Sequence, residues 1–154
     1  MPTTSRTFVK TSILYLGIGA VLGAILFINR WIPLAAGVPV LKSSHVVLLV
    51  TGWLTQLIMG VGWWLFPPLD IGVRSGTSEP ARSGQAQRGS EPLFWATFVC
   101  LNTGILLKAL FDPLHTWTQI DAFAVLTAIS GPLFLIAACG FVVNMWRRVR
   151  ALRS

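Results

Sequence analysis

The sequence predicts an all-α integral membrane protein, a single domain folded as a four-helix bundle, and three observations carry that expectation. Of 154 residues, 54% are hydrophobic and only 11% charged, with a mean hydropathy of +0.70, outside the range of ordinary water-soluble domains. Four apolar runs of spanning length follow one another, at about residues 11–28, 43–66, 93–111 and 122–146. The basic residues flank these runs and form no separate basic domain. The net charge of +7 therefore reads as a membrane-orientation signal and not as an affinity for nucleic acid.

Residues 1–10 read as a short polar lead with Arg6 and Lys10. The first span carries Gly17, Gly19 and Gly23 and is closed by Arg30; it is longer than the apolar core of a signal peptide, so it is expected to stay uncleaved. Gly19 and Gly23, with Ala20 and Ala24 beside them, give a small-xxx-small face suited to helix packing. Residues 29–42 contain Trp31, Pro33, Gly37 and Pro39 and read as a broken, interfacial connection. The second span has Ser43 or Ser44 to cap its start and Pro67-Pro68 to stop it. Residues 69–91 change abruptly to Gly, Ser, Gln and Arg, which bury no face, and read as a flexible extramembrane loop. The third span opens with Phe94 and Trp95 as interfacial anchors. It places Asn102 and Thr103 at depth, expected to bond across to another helix, and Lys108 within reach of Asp112. Residues 112–121 read as a turn holding His115 and Trp117. The fourth span contains Ser130-Gly131-Pro132, expected to bend it, and ends in an arginine-rich tail.

Arg6, Lys10, Arg74, Arg82, Arg88, Arg147, Arg148, Arg150 and Arg153 fall on one side of these spans; Arg30, Lys42 and Lys108 fall on the other. The positive-inside rule then places both termini and loop 69–91 in the cytoplasm, with His45, His115 and Lys108 toward the outer face. Cys100 and Cys139 lie inside apolar runs with no C-x-x-C or C-x-x-C-H, so covalent heme attachment of the c type and a zinc-type spacing are both excluded. No span carries a carboxylate in its interior and the two helix pairs show no repeat, which argues against a proton pump or a transporter half.

The chemistry concentrates on the second span. One helical face runs through His45, Leu49, Gly52, Gln56, Gly60 and Trp63, joining an imidazole to two glycines and an amide, a surface made for close approach by something flat or by another backbone. His45, Gly52-Trp53, Gly60 and Phe66-Pro67 together resemble helix II of subunit I in the heme–copper oxidase superfamily, the C-type branch of cytochrome c oxidase and nitric oxide reductase in particular. The run L-N-T-G-I-L-L-K, with Asn102, Gly104 and Lys108, resembles the following helix of small relatives of that subunit. The resemblance covers about half of the chain. It implies a bacterial cytoplasmic-membrane protein in which His45 ligates the iron of heme b, Gly52, Gln56, Gly60 and Asn102 line the site, and Lys108, Lys42 or Arg30 meet the propionates.

A low-spin heme needs two axial ligands. Either His115 folds back over the outer end, or two copies each give His45 across a two-fold axis; Met59, about 21 Å along the helix from His45, is out of range. Plainer readings stand beside these. His45 and His115 are then interfacial histidines, Lys108 a snorkelling lysine, and Gln56 and Asn102 helix–helix hydrogen-bonding groups. The chain also lacks the histidine set of a heme–copper centre, so the resemblance implies no complete oxidase. The expectation is a heme-binding membrane protein with an electron-transfer, gas-sensing or accessory role, as a homodimer or within a respiratory complex. The alternative is a heme-free scaffold subunit of such a complex.

Overall fold

The computed structural model describes residues 2–66 and 89–150 and, among them, is all-helical. α1 spans Thr3–Trp31. The second span, Val38–Leu65, is a composite: a 3-10 turn (Val38–Leu41), α2 (Lys42–Val47), a π-helical segment (Leu48–Thr55) and α3 (Gln56–Leu65). α4 (Glu91–Thr118) and α5 (Asp121–Arg150) complete the bundle. Each of the four is long and apolar enough to cross a bilayer. Large apolar side chains crowd the outer surface, among them Ile13, Leu14, Val21 and Phe27 on α1 and Val125, Leu135, Ile136 and Val143 on α5. Water would not tolerate such a surface; lipid matches it. The molecule is a multi-pass membrane protein.

The helices run up and down. The starts of α1 and α4 and the ends of α3 and α5 share one end of the bundle, here the termini end, where Phe8, Phe94 and Trp63 stack face to face at centroid distances of 4.3 and 4.2 Å. α1 packs along the second span, α4 lies against both, and α5 packs on α4. Small residues let these helices approach. A Cβ at Gly104 would fall 2.7 Å from Phe134 of α5, and one at Gly140 would fall 2.8 Å from Thr97 Oγ1 of α4.

Three boundaries differ from the sequence reading, each for a local reason. The polar lead is the first turns of α1: Thr4, Ser5 and Phe8 are buried because other helices cover them, and Thr4 Oγ1 donates to Glu91 Oε1 at 2.9 Å. The second span begins at Val38, so Ser44 is inside the helix and not its cap. Its hydroxyl donates instead to the Ala109 carbonyl of α4 at 2.6 Å. That carbonyl lacks its helical donor because Pro113, four residues on, has no N–H. With the gap filled, α4 continues through the expected turn to Thr118 and ends where Gln119 turns left-handed (φ 57°) and its N–H returns to His115 O. α5 runs through Pro132 as one helix, in keeping with the single span read there. The expected loop at 69–91 and the Pro67-Pro68 stop lie outside the described residues, apart from Gly89, Ser90 and Glu91. Those three form the entry to α4: Ser90 caps the helix by accepting from Leu93 N, and the Asn144 amide brackets Ser90 by accepting its N–H and donating to its carbonyl, both at 2.9 Å. Gly89 sits at φ +92° with Asn144 Oδ1 2.6 Å from where a Cβ would stand, a position that only glycine fills.

Candidate functional site

The face singled out on the second span is the seam with α1, and it is filled from within the chain. A Cβ at Gly52 would lie 2.8 Å from the Tyr15 ring, and one at Gly60 would lie 2.7 Å from Phe8 Cβ. The notches are reciprocal: Leu49 occupies the space over Gly19, and the His45 ring lies over Gly23, with Cε1 2.6 Å from the position of a Cβ there. Helices that cross on glycines bring their backbones close, and the side chains opposite then interlock. The small-xxx-small pair of α1 therefore meets the imidazole-and-glycine face of the second span.

Within this seam His45 is half-buried, and its Nδ1 stands 2.8 Å from the Gly19 carbonyl oxygen. A carbonyl only accepts, so that bond requires the proton on Nδ1 and leaves Nε2 as the ring's lone-pair nitrogen. An imidazole that metal will bind is typically held in this way, one nitrogen committed to a backbone carbonyl and the other left basic. Nε2 would then be the nitrogen to hold a heme iron. Arg30 stands on the same face of α1 as Gly23, two turns farther on, about 10 Å along the axis.

The other singled-out residues lie elsewhere in the bundle and make no hydrogen bond to this histidine. Gln56 is fully buried and donates through Nε2 to Phe8 O at 3.4 Å, while its Oε1 and Ser5 Oγ have no hydrogen-bond partner among the described residues. Asn102 of α4 donates to Phe98 O and accepts the Tyr15 hydroxyl at 2.8 Å, a hydrogen bond between helices at the middle of the bundle. Tyr15 therefore touches three spans, packing its ring on Gly52 and its hydroxyl on Asn102. As the chain's one tyrosine within an apolar run, it was the available sequence signal for this contact. Thr103, expected to bond across as Asn102 does, faces outward. Lys108 pairs with Asp112 at 3.7 Å, as the spacing suggested. His115, in the last turn of α4, holds the Ile120 carbonyl with Nδ1 at 3.1 Å. Cys100 and Cys139 are unbridged.

Lys108 and Lys42 do not share a face with His45. They line an open groove of about 590 Å³ between the second span and α4, on the side carrying Ser43, Val46 and Val50, whereas His45 points to α1. The structure thus brings His45, Gly52, Gln56 and Gly60 to one seam and sets the lysines in another.

At the termini end a residue that reads in sequence as part of a solvated basic tail proves to be buried. Arg148 lies over the Trp63 ring, 5.1 Å from its centroid, and donates to the carbonyls of Trp63 (3.0 Å) and Phe66 where α3 ends. A cation there meets the negative end of the helix dipole. Among the described residues no three His, Cys, Asp or Glu side chains converge. Comparison with protein-family models, with characterised proteins and with solved structures finds no match for the chain.

Proposed function

We propose that the chain is a small b-type heme-binding protein of a bacterial cytoplasmic membrane, with His45 as an axial ligand and both termini on the cytoplasmic side. The observation that supports it is the hydrogen bond from His45 Nδ1 to the Gly19 carbonyl, which holds the ring and leaves Nε2 basic. The resemblance of residues 43–67 to helix II of the oxidase subunit supports it independently. Because Tyr15 and Phe8 fill the notches at Gly52 and Gly60, those glycines would not take the porphyrin edge, and His45 would be the residue of this face to hold the group. In this reading His45 of each of two copies would hold one heme between them, an arrangement that a two-fold axis generates without any further histidine. Arg30, on the same side of α1, is the cation placed to meet a propionate. Bound heme would supply reversible one-electron chemistry and, with a ligand displaced, diatomic-gas binding; the protein's part is to orient the imidazole and exclude water. The role is electron transfer, gas sensing or an accessory function in respiration.

The test is an absorption spectrum of detergent-purified protein, oxidised and then dithionite-reduced. A Soret band and a sharpened reduced α band are expected, both lost in His45→Ala. A colourless protein that also fails to take up added hemin would end this reading.

One observation favours a second reading, a heme-free scaffold subunit of a larger respiratory assembly. All of Gly19, Gly23, Gly52 and Gly60 are accounted for by side chains of the chain itself, so helix packing alone explains the face. That reading expects no visible absorbance and stable co-purification with other membrane proteins.

A further inference from the structure

The groove between the second span and α4 has a composition that neither function above uses. Its floor is apolar, with Val46, Val47 and Val50 on one side and Phe134 of α5 on the other, and at its polar end stand Lys42 and Lys108. At about 590 Å³ it falls within the ordinary range of ligand sites, about 300–1,000 Å³. Val46 and Val50 are half-exposed on the surface that faces lipid, so the groove opens sideways into the bilayer.

Charge selects the occupant. The end of the bundle opposite the termini carries few basic residues, Arg30, Lys42 and Lys108, and two of these three line this one groove. Asp112 also lines it, but its carboxylate stands 3.7 Å from Lys108 Nζ, beyond hydrogen-bonding distance, so the ammonium keeps donors for another acceptor. One carboxylate against two ammoniums leaves the groove net positive at the depth where headgroups lie. Thr116 adds a hydroxyl at the same mouth.

The geometry points to a binding site for an anionic phospholipid, its phosphate between Lys42 and Lys108 and an acyl chain along Val46 and Val50. The ammoniums act as point charges for the phosphate, and the valines take the chain out of contact with solvent and fluid lipid. The lysines lie on a different face of the second span from His45, so the site is independent of heme.

The experiment is native mass spectrometry of the delipidated full chain, titrated with phosphatidylglycerol or with phosphatidylcholine of the same acyl chains. Each lysine beside a headgroup is worth about fivefold in affinity, so a preference of about twenty-fivefold for the anionic lipid is expected. Lys42→Gln with Lys108→Gln should reduce it to within about twofold. Asp112→Asn, which removes the competing carboxylate, should raise it by about fivefold, a gain that a misfolded variant would not give. His45→Ala should leave it unchanged. Equal binding of the two lipids by the unaltered protein, or a preference that survives the double substitution, overturns the assignment. So does lysine-dependent retention of inorganic phosphate with no retention of the lipid, which would make the groove a site for a free anion.

Discussion

Ser44 illustrates how much one hydroxyl decides in an apolar surrounding. Its partner, the Ala109 carbonyl, is deprived of a donor by Pro113, and inside a membrane no water stands by to replace it. Ser44→Ala is expected to lower stability by about 1–3 kcal/mol, the cost of an orphaned buried acceptor, read as earlier unfolding in a detergent titration. Tyr15→Phe should act more gently, since hydrogen bonds between spanning helices average about 0.6 kcal/mol, and a Tyr15→Phe, Asn102→Ala double-mutant cycle isolates that share. Gly60→Leu is the harsher change. The first added carbon already falls 2.7 Å from Phe8 Cβ, so α1 must move away, a loss of about 1–3 kcal/mol at least, with the Phe8–Phe94 stack disturbed.

At the scale of the element, the four spans were legible in the sequence because their hydrophobic runs are long and their loops polar. Their ends were not. Residues 3–10 look like a polar lead, yet their helix is held by burial under α4 and the second span, which composition does not announce. Residues 112–118 carry a proline that reads as a stop, and the donor that allows the helix to continue comes from Ser44, 65 residues away. The glycine face of the second span was legible as a close-packing surface, but its occupant, α1, was not: Phe8 is unremarkable in isolation, and the lone Tyr15 signals a contact without naming its partner. The π-helical register at Leu48–Thr55 left no trace in composition either; Thr55 Oγ1, which donates to Val50 O at 2.9 Å, is its side-chain companion. Deleting one residue within that segment turns residues 42–47 by about 100° against residues 56–65. The expected outcome is loss of the His45–Gly19 contact, seen as destabilisation and, in the heme reading, as loss of the Soret band.

For the whole molecule, two helix pairs meet along α4, and their outer surfaces are rich in large apolar side chains. Charge counting predicts cytoplasmic termini, so reporter fusions at either terminus are expected both to read cytoplasmic. Opposite readings for the two fusions would contradict an even number of crossings. Arg148 belongs to this scale as well, since its guanidinium ties the last helix to the end of the second span across the bundle. Arg148→Ala is expected to loosen the termini end, with faster amide exchange near Trp63, where a surface arginine would leave no mark.

Thr4 against Glu91 and Arg148 against Trp63 bring the beginning and the end of the chain out at the same side. Two copies can therefore be joined head to tail by a short hydrophilic tether, with no additional crossing, to give a covalent tandem. In the heme reading, altering position 45 in one half alone then separates the two ways in which an iron would be held. If one imidazole from each copy is required, the half-altered tandem loses its bis-histidine spectrum outright; if each copy completes its own centre, half of the pigment survives.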